Sequence, residues 1–228
     1  MVSAVVFDFD GVILETELPQ YLAWREIWSE FGHDLPLEVW AGSVGTYKNP
    51  NAFDPFRDLV RRTGLNLIET EIEGRAEAFR DQLLETSAPV EGVVDWISEA
   101  ESMGLGLAVA SSSPRRWVQH HLERLGLIDR LPTISCFDDC GIAKPDPAVY
   151  VLACNVLGVP ASNALAVEDS RNGLLAAKAA GLWCVAVPTR ATAHLDFSEA
   201  DFLLSSFQER RLQQIATLTV QRSLRDER

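Results

Sequence analysis

The sequence predicts a doubly wound α/β fold, a parallel sheet with helices on both faces, with a helical domain inserted into it. Three observations predict this. Short apolar runs of strand length recur along the chain and end in polar residues. Helix-like stretches separate most of these runs. Between the first two runs lies a long segment with helical patterning only. Continuous apolar runs suit strands covered on both faces, and regular strand–helix alternation builds a doubly wound sheet.

In chain order, Ala4-Val5-Val6-Phe7 is the first strand and ends at Asp8. Helical patterning then covers residues 18–31, 37–40, 53–63 and 68–85, and the chain returns through Thr86-Ser87-Ala88-Pro89. An insert of this length reads as a second small domain on two linkers. It divides the chain into an α/β core of residues 1–14 and 89–228 and a helical cap of residues 15–88. Trp24, Trp28 and Phe31 stand at helical spacing, which favours the core of that cap over a stack of ligand contacts. A helix over 93–103 closes at Gly104. The next strand, Leu105 to Ala110, ends at Ser111-Ser112-Ser113. Ser113 caps a helix over 114–125, which Gly126 stops. A weaker strand, Thr133-Ile134-Ser135-Cys136-Phe137, and a helix over 146–157 follow. Ala164-Leu165-Ala166-Val167 ends at Glu168-Asp169, a helix over 172–180 ends at Gly181, and Trp183 to Val187 ends at Pro188. An edge strand at 202–204 and a helical tail over 208–228 complete the chain.

Composition narrows the function classes. The 228 residues hold 20 Lys and Arg against 33 Asp and Glu, a net charge of −13. Apolar residues make up 47% and charged residues 23%, a globular composition rather than a disordered one. The acidic balance argues against a nucleic-acid coat, which needs clustered Lys and Arg. No apolar run approaches the roughly 18 residues of a membrane span. Met1-Val2-Ser3-Ala4 lacks a basic segment and the apolar run after it meets Asp8, so no signal peptide is expected. Cys136, Cys140, Cys154 and Cys184 form no C-x-x-C pair and read as reduced thiols of a cytoplasmic protein. His33, His120, His121 and His194 show no ligand spacing, and the adjacent pair reads as surface. No phosphate-binding P-loop or dinucleotide fingerprint is present. The acidity sets a problem: such a protein repels an anionic substrate unless something local reverses the sign.

The chemistry gathers at strand ends. In Asp8-Phe9-Asp10-Gly11 the period of two puts both carboxylates on one side of the chain. Two such charges about 4 Å apart repel by roughly 4 kcal/mol at an effective dielectric near 20, so a cation or a retained proton is required. Glu168-Asp169 ends another parallel strand. Beside the first pair it would make an all-oxygen nest suited to a hard cation such as Mg²⁺. Ser111 offers a hydroxyl, and backbone N–H groups at the next helix start, to a phosphate oxygen; it could equally be a helix cap. Lys144, in Ala143-Lys144-Pro145-Asp146, can reach the cluster, or can stand on the surface.

With these four elements in this order, the sequence resembles the capped phosphatase branch of the haloacid dehalogenase superfamily. The motifs are Asp8-Phe9-Asp10-Gly11-Val12, Val109-Ala110-Ser111-Ser112-Ser113, Lys144-Pro145-Asp146-Pro147 and Glu168-Asp169-Ser170, and the resemblance spans essentially the whole chain. It implies Asp8 as the nucleophile that forms an aspartyl-phosphate and Asp10 as the acid and base. It implies Mg²⁺ held by Asp8, the Asp10 carbonyl and Asp169, with Glu168 as ligand or orienter. Ser111, Ser112 and Lys144 would hold the transferring phosphoryl group. The helical insert would close over the site and select the substrate.

Within that resemblance, Asp10 favours phosphoryl transfer over dehalogenation. Hydrolysis must be weighed against the mutase reaction of β-phosphoglucomutase, whose hinge threonine is matched by Thr16. Twelve positions after the nucleophile, however, this chain has Gln20 where the mutase has histidine, and the mutase's cap arginine has no match in residues 42–48. Lys48 and Arg75 are either substrate contacts or solvated surface. A phospho-accepting regulatory domain is a third possibility, disfavoured by the inserted cap and the position of the D-x-D. The expectation is a cytoplasmic, Mg²⁺-dependent phosphatase of a small phosphorylated metabolite such as a sugar phosphate or phosphoglycolate. No nucleic-acid or membrane partner is expected, and the chain is expected to be a monomer or weak homo-oligomer.

Overall fold

A computed structural model of the chain describes residues 1–41 and 53–226. Six strands, β1 (Ala4–Phe7), β2 (Gly106–Ala110), β3 (Thr133–Ser135), β4 (Ala164–Glu168), β5 (Trp183–Ala186) and β6 (Phe202–Leu203), form one sheet in the order β3-β2-β1-β4-β5-β6. Every pairing is parallel. Phe7 is in register with Val109 of β2 and Val167 of β4, so these three strands end side by side.

The strands are apolar along their whole length because helices cover both faces, but the two faces differ in bulk. Val5, Phe7, Val109, Leu165 and Val167 pack against α5 (Val93–Ser102), α6 (Arg115–Arg124) and α10 (Leu212–Asp226). Ala4, Val6, Ala108, Ala110, Ala164 and Ala166 face α8 (Ala148–Leu157) and α9 (Arg171–Ala179). The alternation follows from the strand period of two, and the alanine face lets α8 and α9 lie close to the sheet.

Between β1 and β2 the chain forms α1 (Glu17–Glu30), α2 (Leu37–Ala41), α3 (Pro55–Thr63) and α4 (Glu69–Leu84). Asp54 caps α3 by accepting from the Arg57 N–H, Pro55 occupies its first turn, and Gly64 ends it in the left-handed region. The expected aromatic core is present: Trp24 and Trp28 are buried with Tyr21, Ile27, Leu35, Leu59 and Ile72, and Phe31 packs against them. Each such side chain contributes about 1.5–3 kcal/mol on burial, and the cluster also takes in Ala191 from beyond β5. Among the described residues no helix is long and apolar enough to cross a membrane.

Three local expectations need correction. The third strand stops at Ser135, and Phe137 begins the short helix α7 (Phe137–Cys140) instead. Polar capping outweighs the apolar pattern there: the Asp139 carboxylate accepts from the Cys136 N–H at 2.7 Å. Ser113 does not cap α6; Pro114 holds the N-cap position, and the Ser113 hydroxyl goes elsewhere. His120 is exposed, but its neighbour His121 is buried under Phe9 and Trp117, since adjacent helix positions face different directions.

Candidate active site

Parallel strands collect function at their carboxyl ends, most of all where the sheet order reverses. Here that point is β1, flanked by β2 and β4, and it brings the predicted residues together. The Asp8 N–H donates to the Val167 carbonyl at 2.9 Å, which sets Asp8 beside Glu168. Asp8, Glu168 and Asp169 are buried, and one carboxylate oxygen of each lies within 4.8 Å of the others. Lys144 reaches into this group from the loop before α8. Its Nζ donates to Asp8 Oδ1 at 2.8 Å and to Glu168 Oε1 at 2.6 Å.

Backbone shape holds the acids in place. Gly11 has φ +80°, a conformation that side chains disfavour, and a Cβ there would lie 2.2 Å from Asp169 Oδ2. A Cβ on Gly173, in the first turn of α9, would lie 1.9 Å from the Glu168 carboxyl carbon. Both glycines make room for carboxylates. Ser170 caps α9 by accepting from the Gly173 N–H at 3.1 Å.

Electrostatics follow from three buried acids around one ammonium. Burial, then Glu168, push the Asp8 carboxyl up to about 8 against the opposing pull of Lys144. Burial, then Asp8 and Glu168, hold Asp169 well above the carboxylate range. Burial would lower Lys144, but Asp8 and Glu168 outweigh it and raise the ammonium above its ordinary value. Three buried carboxylates with excess negative charge, packed together because two glycines leave them room, fit a hard divalent cation, which would let all three stay ionised.

Asp10 faces another way. Its Oδ1 accepts from Thr16 Oγ1 at 2.9 Å and Trp117 Nε1 at 3.0 Å, and its Oδ2 from Ser113 Oγ at 2.6 Å, with Ser111 Oγ at 3.5 Å. The Ser111 hydroxyl accepts from the Ser113 N–H, and Ser112 Oγ from the Lys144 N–H at 3.0 Å, tying the serine loop to the lysine loop. Gln20 accepts from Arg80 Nη1 at 3.2 Å. Arg75 pairs with Glu30 on the outer surface, and Lys48 lies outside the described residues.

The cleft in front of these residues has a volume of about 1210 Å³ and runs between the strand ends and the inserted helices. Along its far wall, α4 and the residue after it carry Glu73, Glu77, Asp81 and Glu85 at four-residue intervals, with Arg80 among them. Burial, then Asp10 and Glu15, push Glu17 up to about 8. Sequence reasoning missed Tyr150, Trp117 and Ser113 as site neighbours. Tyr150 is buried in the apolar run of α8 and donates its hydroxyl to Glu168 Oε1 at 2.5 Å. Trp117 and Ser113 bind Asp10 from α6 and the turn before it.

A family model described as haloacid dehalogenase-like hydrolase matches residues 2–181. The chain belongs to the haloacid dehalogenase-like hydrolases. Within them it is 40% identical over 213 residues to the phosphatase-named YhcW of Bacillus subtilis, covering 93% of this chain and 95% of that protein. Validoxylamine A 7'-phosphate phosphatase of Streptomyces hygroscopicus is 30% identical over 92% of this chain and 96% of its own. The crystal structure of Rhodobacter sphaeroides CbbY in complex with phosphate superposes with a TM-score of 0.71 at 31% identity, covering 92% of this chain and 96% of that one; a mutant of that protein is also known with xylulose-(1,5)bisphosphate. This haloacid dehalogenase-like hydrolase is thus an enzyme, and its family and its phosphatase-named relatives support phosphoric monoester hydrolysis as its reaction class.

Proposed function

We propose that the protein is a divalent-metal-dependent phosphatase that hydrolyses a small phosphomonoester, of the sugar phosphate or phosphoglycolate type, through an aspartyl-phosphate on Asp8. The observation that carries this reading is the single cation Lys144 set between Asp8 and Glu168 at the end of the central strand. An Asp8 oxygen attacks phosphorus, the bond from phosphorus to the substrate oxygen breaks, and that oxygen takes a proton from Asp10. Water then attacks the phosphorus of the acyl phosphate. Asp10 takes the water's proton, and Asp8 and inorganic phosphate are released. Lys144 opposes the protonation that burial and Glu168 favour at Asp8, and with Ser111 and Ser112 it binds the phosphoryl oxygens where negative charge builds up.

Asp8, Asp169, the Asp10 carbonyl and Glu168, as ligand or orienter, would hold Mg²⁺. When bound, the ion supplies positive charge to the transferring phosphoryl group. The helices of residues 15–88 serve as a cap domain, hinged at Thr16 and the return linker, that excludes water and selects substrate. Gln20, on α1 within that cap, stands where the mutases have histidine, which favours hydrolysis. CbbY bound to a sugar bisphosphate supports a phosphorylated metabolite as substrate. The test is a screen of phosphorylated metabolites for phosphate release with and without Mg²⁺. It includes β-glucose 1-phosphate with a bisphosphate primer. Phosphate release that needs the ion is expected; isomerisation without net release would establish a mutase instead.

A further inference from the structure

We propose that Trp117 is a positioning residue for the proton-transfer step: its indole N–H fixes the Asp10 carboxyl, and Arg80 of the inserted helices clamps the indole in place. This rests on the reading of Asp10 as the acid that protonates the leaving oxygen.

The Asp10 carboxyl meets four donors of two kinds. Thr16, Ser113 and Ser111 are hydroxyls, which rotate and can turn from donor to acceptor as a proton moves. Trp117 Nε1 can only donate, and its direction is set by the ring plane. At 3.0 Å from Oδ1 it marks that oxygen as a permanent acceptor. The transferable proton then belongs on Oδ2, where the Ser113 hydroxyl at 2.6 Å can reverse its role. A flexible carboxyl would place its proton on either oxygen; the indole removes that choice.

The ring is itself held on two sides. The Arg80 guanidinium carbon lies 4.4 Å from the centre of the indole, within cation–π range, and His121 meets the ring edge-on at 4.2 Å. Arg80 belongs to α4, its side chain is only 17% exposed, and it also donates to Gln20 on α1. Helix α6 is fixed to the return linker as well, where Arg124 donates to the Glu85 and Ser87 carbonyls. The position of the inserted helices is therefore transmitted through Arg80 and Trp117 to the Asp10 carboxyl. Substrate binding under those helices would align the acid with the leaving oxygen.

The experiment compares leaving groups. Glycerol 1-phosphate has an alkoxide leaving group that needs a proton; p-nitrophenyl phosphate leaves as a stable phenolate that does not. W117F keeps an aromatic ring between Arg80 and His121 but has no N–H. For W117F, kcat/KM is expected to fall by about 10- to 100-fold on glycerol 1-phosphate, as for a lost hydrogen bond to a charged group, and by less than about 3-fold on p-nitrophenyl phosphate. D10N is the control and should show the same selectivity, more strongly. If D10N depresses both substrates equally, the acid role of Asp10 fails. If D10N discriminates and W117F does not, the Trp117 proposal is overturned while the acid role stands. R80M repeats the comparison without touching the ring and settles the case if W117F does not fold: an unchanged ratio between the two substrates would overturn the clamp.

Discussion

Asp169→Asn separates the cation's contribution from that of the protein alone. Asp169 is 3% exposed, and one of its carboxylate oxygens lies within 4.8 Å of one from Asp8 and one from Glu168. At that separation or closer each like-charged pair repels by at least about 3.5 kcal/mol at an effective dielectric near 20. Partial protonation relieves some of this, so removing one charge without metal should stabilise the fold by about 1–3 kcal/mol, or roughly 2–12 °C in melting temperature for a chain of this size. With Mg²⁺ the order changes. An ion at 100 times its dissociation constant stabilises the wild type by about 2.7 kcal/mol. D169N, lacking one of the carboxylates proposed to hold the ion, should gain less than about 1 kcal/mol at the same concentration. The assay is thermal melting of both proteins in EDTA and across a MgCl₂ series, read beside phosphate release. A D169N protein that melts below wild type in EDTA, or that gains as much from Mg²⁺, would refute the reasoning.

Other perturbations have equally definite outcomes. Lys144→Met leaves Asp8 and Glu168 buried without their ammonium, and urea unfolding in EDTA should show a loss of about 3–5 kcal/mol with turnover abolished. Gly173→Ala drives a methyl into the Glu168 carboxyl and should cost about 1–3 kcal/mol while weakening the Mg²⁺ response, seen in the same melts. Burial, then the charges of Arg124 and His120, lower His121 from 6.5 to about 4. The unfolded chain therefore binds this proton first as pH falls from about 6.5 to about 4, and the group removes stability across that window. H121Q should lose less stability than wild type between those pH values in chemical denaturation, and identical pH profiles would contradict the shift.

Much of the fold was legible because strands covered on both faces must be apolar along their length. Ala4 to Phe7, Ala164 to Val167 and the acids that end them follow from pattern alone, and the structure sets them side by side. The cluster of Asp8, Lys144, Glu168 and Asp169 was legible because each stands just beyond a strand or in a loop near one. The partners of Asp10 were not. Thr16, Ser113 and Trp117 come from a linker, a turn and a helix, and only the folded chain brings them to one carboxyl. Tyr150 was hidden inside an apolar helix, where a phenol looks like core until its hydroxyl is seen on Glu168. Ser113 looked like a helix cap because serine before a helix often is one; a nearby carboxylate took the hydroxyl instead.

The net charge of −13 would be offset for an anionic substrate at the strand ends only with a divalent cation bound beside Lys144. Lys144 supplies one positive charge there, and a bound divalent cation would supply two more.

In the proposed reaction the phosphoryl group passes through Asp8. Acid-quenching the enzyme during turnover of a phosphomonoester in Mg²⁺, treating it with hydroxylamine, and mapping peptides by mass spectrometry tests it most directly. The expected result is hydroxamate on the peptide that carries Asp8, absent without substrate and absent in D8N. Active enzyme that acquires no such mark, or acquires it at another carboxylate, would contradict the claim.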